Sequence, residues 1–208
     1  MATQIQTATA PEPKLTVEKI IKQVRELYTD APALGKTALE NFIRRLMSEK
    51  AEPQPPTESA GRVGSRQGKI SELTVIAPFA PGGAQRLRAL MGLLNGSFEA
   101  ADKVGTVQNI RFVFLDNDTK LLFATAYEGD WDPYIDDFAT KIPDDLDVAF
   151  CNLEGWPGIH SPSVKDYIVK HQLTAEGWYV ATPDLTIAEA RRLQRVGKAV
   201  DEFLDKIQ

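Results

Sequence analysis

One cysteine and two histidines are all the thiol and imidazole chemistry in 208 residues. Cys151 alone excludes an internal disulfide, and His160 with His171 leaves too little for a histidine-rich centre, so no metal site is expected. A lone thiol fits a reducing compartment, and a cytoplasmic location is expected. No apolar run approaches the roughly 20 residues that a membrane span requires, so no membrane partner is expected. The first ten residues have neither a basic nor an apolar region, so no secretory signal is expected. Basic stripes are also missing. Residues 116–147 hold ten acids against Lys120 and Lys141, a face that would repel phosphate backbones, so nucleic acid is not an expected partner.

What is present is an ordinary globular composition: 43% hydrophobic, 25% charged, 8% aromatic, net charge −5. That excludes a collagen-like, fully disordered or disulfide-framework chain. The charge is uneven, because residues 1–68 carry ten Lys/Arg against eight Asp/Glu, and residues 69–208 carry 14 against 21.

Residues 1–13 are polar and expected to be unstructured. Thr16 can cap a helix with Val17, Ile20, Ile21, Val24, Leu27 and Tyr28 on one side. Leu34, Ala38, Leu39, Phe42, Ile43, Leu46 and Met47 mark a second helix. Residues 1–49 therefore read as an N-terminal helical hairpin whose two apolar stripes must each be buried. Residues 50–69 are rich in Pro, Gly and Ser and read as a linker.

From residue 70 strands and helices alternate. Leu73–Phe79 reads as a strand, and Pro81-Gly82-Gly83 as a tight turn into a helix carrying Leu87, Leu90, Met91 and Leu94. Without Gly-x-Gly-x-x-Gly spacing or a Gly-Lys-Ser/Thr ending, that turn is no phosphate loop. Gln108–Leu115 and Leu121–Tyr127 form a hairpin about Asn117-Asp118. Asp132-Pro133 opens a helix burying Tyr134, Ile135 and Phe138, Val148–Leu153 is an apolar run of either state, and Ser161-Pro162 opens a further helix. Trp178–Thr182 reads as the fourth strand. Thr186 and Glu189 then make a capping box for a last helix that buries Ala190, Leu193, Val200, Phe203 and Leu204. The order β-α-β-β-α-β is the ferredoxin-like split βαβ arrangement of an α+β domain, residues 70–208, with an extra helix before the last strand and another after it. Its open sheet face needs a cover: a second copy, which makes a homodimeric α/β barrel and is the preferred reading, or the N-terminal hairpin.

Few residues carry chemistry. The acids at 128–137 lack EF-hand spacing and suit a helix N-terminus. Cys151 has no histidine or second cysteine nearby in sequence, so it reads as buried packing. His171 shares the inward stripe of its helix with Ile168, where a haem iron would need it, although a hydrogen bond is the commoner role. Arg111 interrupts an apolar strand between Ile110 and Phe112. It must pair with an acid, Glu154 being the candidate, or face a cavity and hold an anion.

The run from Arg111 (Arg-Phe-Val-Phe-Leu-Asp), then Leu-Leu-Phe-Ala-Thr-Ala-Tyr-Glu-Gly-Asp-Trp-Asp-Pro-Tyr-Ile-Asp-Asp-Phe, then Glu-Gly-Trp-Pro-Gly, resembles an uncharacterised bacterial ferredoxin-like family of the dimeric α/β-barrel superfamily. The resemblance spans about residues 70–206 and implies a barrel and, loosely, an oxidoreductase of dehydrogenase or monooxygenase type. Members of that family often carry histidine where this chain has Gln108, Asn152 and Thr182, which weakens any histidine-based catalysis or haem ligation that the resemblance implies, while His171 stands where relatives can carry histidine. Arg111, Glu154, Gly155, Tyr127 and Gly129 match its pattern. The expectation is a small apolar or anionic ligand held between the sheet and its helices. Arg111 would orient an anionic or carbonyl group, Glu154 would position Arg111 or move a proton, and His171 completes the catalytic set. Trp156, Tyr127 and Phe112 would line the site. No cofactor is specified. The competing readings are a non-catalytic dimerisation or interaction module and, third, a haem-dependent peroxidase-like enzyme.

Overall fold

The computed structural model describes residues 16–48, 55–94 and 98–207. The opening stretch 1–13 and the first part of the expected linker, residues 50–54, lie outside the described residues. The chain divides into two compact units, Met1–Gln54 and Pro55–Gln208.

In the first unit, α1 (Val17–Leu27) and α2 (Ala33–Ser48) occupy the stretches with helical periodicity. Thr16 is the N-cap residue of α1 with extended backbone, although its hydroxyl makes no capping bond. Arg25 joins the helices by donating from Nε and Nη2 to the Glu40 carboxylate, each at 2.8 Å. The stripes are not buried as expected: among the described residues of these two helices only Ile43 is.

The second unit is built on one antiparallel sheet of β1 (Thr57–Ser59), β2 (Ser65–Gln67), β3 (Ile70–Pro78), β4 (Val107–Leu115), β5 (Lys120–Glu128) and β6 (Gln172–Leu173). Strand β3 is its axis. Along one side it pairs with β5 from Ile70↔Glu128 to Pro78↔Lys120; along the other it meets β2 at Ile70 and Ser71, and β6 at Thr74 and Val75. β4 pairs with the far side of β5. The β4–β5 turn needs three successive residues with positive φ, and Asp116 (51°), Asn117 (53°) and Asp118 (66°) are types that tolerate it.

Six helices complete this unit: α3 (Gly83–Leu94), α4 (Glu99–Val104), α5 (Trp131–Lys141), α6 (Pro143–Phe150), α7 (Val164–His171) and α8 (Ile187–Lys206). Side chains alternate across the strands. Leu73, Val75 and Ala77 of β3 join Leu121, Phe123 and Tyr127 of β5 in the core, with Trp131, Tyr134, Ile135 and Phe138 of α5 packed on them. Tyr127 is fully buried and stacks on Tyr134 with ring centroids 3.8 Å apart. The Tyr134 hydroxyl lies 2.9 Å from Thr125 Oγ1, and the Trp131 indole N–H donates to Gln172 Oε1 at 2.7 Å. The turn at Pro81-Gly82-Gly83 is present, with Gly82 at φ +71°. At Gly83 a Cβ would stand 2.1 Å from the Asn152 carbonyl oxygen, so glycine is what lets α3 begin there.

Several expectations are corrected. The stretch read as a linker contains the β1–β2 hairpin, paired onto β3. Trp178–Thr182 is not a strand. The side of β3 it would need is already taken by β2 and β6, so the chain leaves the sheet after Leu173. It returns to it at Pro183, whose carbonyl accepts from Lys69 N–H at 2.8 Å. Helix α5 starts at Trp131, with Asp130 rather than Asp132 at its N-cap. α4 carries no strong apolar stripe and was not expected, and the ambiguous run from Val148 ends α6. The capping box at Thr186 and Glu189 forms, yet α8 buries none of its residues. Its start is tied down by Glu128 accepting from Ile187 N–H and by the Lys69–Glu189 and Arg191–Asp102 pairs.

A graded series at Tyr134 measures how the core is held. Tyr134→Phe removes one hydroxyl contact and should cost about 1 kcal/mol, whereas Tyr134→Ala also opens a cavity and should cost about 3–5 kcal/mol in urea unfolding.

Candidate functional site

The period-two alternation that builds the core also divides the expected site. Arg111 and Phe112 are neighbours on β4, so their side chains leave the sheet on opposite faces. Each face carries a hollow.

The helix-side hollow is a cavity of about 480 Å³ between the sheet and α3, α4, α5 and α6. Ile110, Phe112 and Phe123 form its floor, and Met91, Phe98 and Phe150 are among its walls. The rings interlock: Phe123 meets Phe150 edge-on with centroids 5.0 Å apart, and Phe98 stacks on Phe112 at 5.8 Å. Its charged lining residues, Glu99, Lys103 and Asp145, are all exposed and so belong to its mouth.

The open-face hollow, about 430 Å³, is polar. Glu72 and Thr74 of β3, Asn109 and Arg111 of β4, and the segment from Ala175 to Thr182 line it. Glu72 is only 5% exposed. Its Oε1 accepts from Ser65 N–H and Ala175 N–H, each at 3.1 Å, and its Oε2 from the Thr74 hydroxyl at 3.3 Å. Gly64 crosses β3 so closely that a Cβ there would stand 2.5 Å from the Glu72 carbonyl oxygen. The Trp178 indole nitrogen is buried in this region without a hydrogen-bond partner.

The other expected residues scatter. Arg111 makes no ion pair with Glu154, which lies beyond α6: its N–H donates to Pro78 O at 2.9 Å, and its carbonyl accepts from the Tyr167 hydroxyl at 3.0 Å. Trp156, Tyr167 and His171 do meet, in a row of rings with successive centroids 5.4 and 4.6 Å apart. Trp156 is fixed there by Asp147, whose Oδ1 accepts both the indole N–H and Ile159 N–H at 2.8 Å. Burial lowers the His171 imidazole below its usual range and Lys170 adds to this, while a hydrogen bond with the Ile76 backbone opposes it. Tyr127 belongs to the core, where burial pushes its phenol up. Phe112 lines the helix-side cavity. The structure thus joins Glu154, Trp156 and His171 through Tyr167, and separates them from Arg111.

Cys151 is exposed rather than packed, because it follows α6 as its C-cap residue. The buried neighbour is Asn152, which accepts from Arg86 Nε at 2.9 Å and donates to the Val148 and Ala149 carbonyls. Among the described residues no group of three His, Cys, Asp or Glu side chains is placed to hold a metal ion. Sequence reasoning missed Glu72 and Trp178. Glu72 carries the same signal that singled out Arg111, a charge inside an apolar strand, since it stands between Ile70-Ser71 and Leu73. Comparison with protein-family models, curated proteins and solved structures found no match.

The His171 shift sets the sign of a pH effect. Folding disfavours the imidazolium, so the folded chain binds fewer protons than the unfolded one and its stability falls as pH drops through the ordinary histidine value of 6.5. Urea midpoints measured from pH 7.5 to 5.5 (roughly the range over which histidine titrates) should fall in the wild type and fall less in His171→Gln.

Proposed function

We propose that the protein holds a small, largely apolar molecule in the helix-side cavity of a ferredoxin-like domain. The observation that carries this reading is the cavity itself, about 480 Å³ of space floored and walled by Ile110, Phe112, Phe123, Met91 and Phe150. An apolar hollow of this size, open at its mouth, falls within the range of small-molecule sites. The ferredoxin-like assignment is supported by the strand order: β6 and β5 flank β3, β4 lies outside β5, and helices connect β3 to β4 and β5 to β6. The resemblance to the dimeric α/β-barrel family accords with that order. A second copy over the open face is the assembly that family implies, and Val113, Ile76 and Leu122 give the far end of that face an apolar surface.

Binding, rather than turnover, is the role these walls suit. The cavity floor offers no nucleophile, acid or base, and Glu154 and His171 do not line it. A second reading, an interaction module, is favoured by α8, whose Leu193, Val196, Val200, Phe203 and Leu204 are all exposed.

Titration with uncharged 1-aminoanthracene, followed by its fluorescence, tests the first reading. The wild type should bind saturably, and Met91→Trp, which fills the cavity from α3, should weaken binding at least about tenfold with no loss of thermal stability. Glu202→Gln on α8 should bind as the wild type does. Unchanged binding in Met91→Trp would remove the cavity from the function.

A further inference from the structure

The open-face hollow is lined by two opposite charges that have no ionic partner among the described residues. Glu72 is nineteen-twentieths buried, and no Lys, Arg or His nitrogen among the described residues lies within ion-pair distance of it. Buried carboxylates are normally matched by a cation, because taking the charge out of water costs several kcal/mol. Three donors satisfy part of its capacity, Ser65 N–H, Ala175 N–H and the Thr74 hydroxyl, and Oε2 keeps a free lone-pair site. Arg111 lines the same hollow, and its guanidinium makes no hydrogen bond or ion pair among the described residues.

Sheet register sets their separation. Glu72 is opposite Ala126, Ala126 is opposite Asn109, and Arg111 is two residues further along β4. Two interstrand spacings and one same-face step put the two Cα atoms roughly 12 Å apart. The Glu72 carboxylate, held by the Ser65 and Ala175 amides, is turned towards β2 and β6, so the two charged groups face each other only across the width of the hollow, which a small molecule lying along it would span. A simple anion would satisfy Arg111 and be repelled by Glu72; a simple cation would meet the reverse. A molecule carrying both charges satisfies both groups.

We propose that this hollow binds a small zwitterion with an ammonium and a carboxylate, of the size of a free amino acid or a dipeptide. The carboxylate lies on the Arg111 guanidinium, whose paired N–H groups suit two-point binding. The ammonium donates to Glu72 Oε2. Ile70, Ala126 and Val180, which share the lining, take the ligand's side chain. This site is on the opposite face of the sheet from the aromatic cavity and does not depend on it.

Isothermal titration calorimetry on the full chain tests this with four probes: phenylalanine, alanyl-phenylalanine, N-acetylphenylalanine and phenylalaninamide. At least one of the two zwitterions should bind, and the blocked form lacking either charge should bind about tenfold more weakly or worse, the loss of one charge-assisted hydrogen bond. In Arg111→Gln, whose exposed side chain should leave the circular-dichroism spectrum unchanged, the acid and its amide should bind alike. Saturation with 1-aminoanthracene should leave the zwitterion isotherm unaltered, which separates this site from the apolar cavity. The proposal is overturned if neither zwitterion binds at millimolar concentration, or if the acetylated and amidated forms bind as tightly as the zwitterions.

Discussion

Everything in the second unit is referred to one strand. β3 is paired along its whole length with β5 and along parts of its other side with β2 and β6, so the neighbouring β2 and two segments distant in sequence take their register from it. Its nine residues therefore settle which side chains enter the core and which face outward. A one-residue slip would exchange Leu73 and Val75 for Glu72 and Thr74 against the aromatic residues of α5. Burying that carboxylate among rings, away from the two backbone N–H groups that now reach it, is the cost that holds the register in place.

The two faces that follow from this register have different chemistry. Towards the helices, Phe, Tyr and Trp side chains fill most of the space but leave a hollow between the middle of β4 and the helices α3, α4, α5 and α6. Towards the open side, the segment after β6 cannot join the sheet and instead folds over its polar end, bringing Trp178 above Glu72 and Asn109. Val113, Ile76 and Leu122 lie at the other end of that face. The same face thus offers a polar hollow and an apolar surface that do not overlap.

Much of the architecture was legible from residue patterns. The β4–β5 hairpin was visible because apolar alternation on both arms is interrupted by residues that accept a left-handed backbone, and α8 because Thr186 and Glu189 announce its first turn. Burial was less legible. The α8 stripe has the periodicity of a core helix, but periodicity states only that a helix has two faces, not that anything covers one. Trp178–Thr182 has strand-like residues, and what it lacks is a vacant side of β3, which no local pattern can reveal. The candidate site is divided for the same reason. Arg111 was singled out correctly as a charge in an apolar strand, but its pairing with Glu154 required knowing which face each residue occupies, and the adjacent Phe112 was assigned to the same pocket although alternation sends it to the other.

Glu72 also has a mechanical meaning. Its Oε1 holds the Ser65 amide at the start of β2 and the Ala175 amide just after β6, so a single oxygen atom fastens two loops to one strand. The two amides are separated by more than a hundred residues of chain, yet both donate to the same atom. Both loops are thereby fastened at a single point on the sheet.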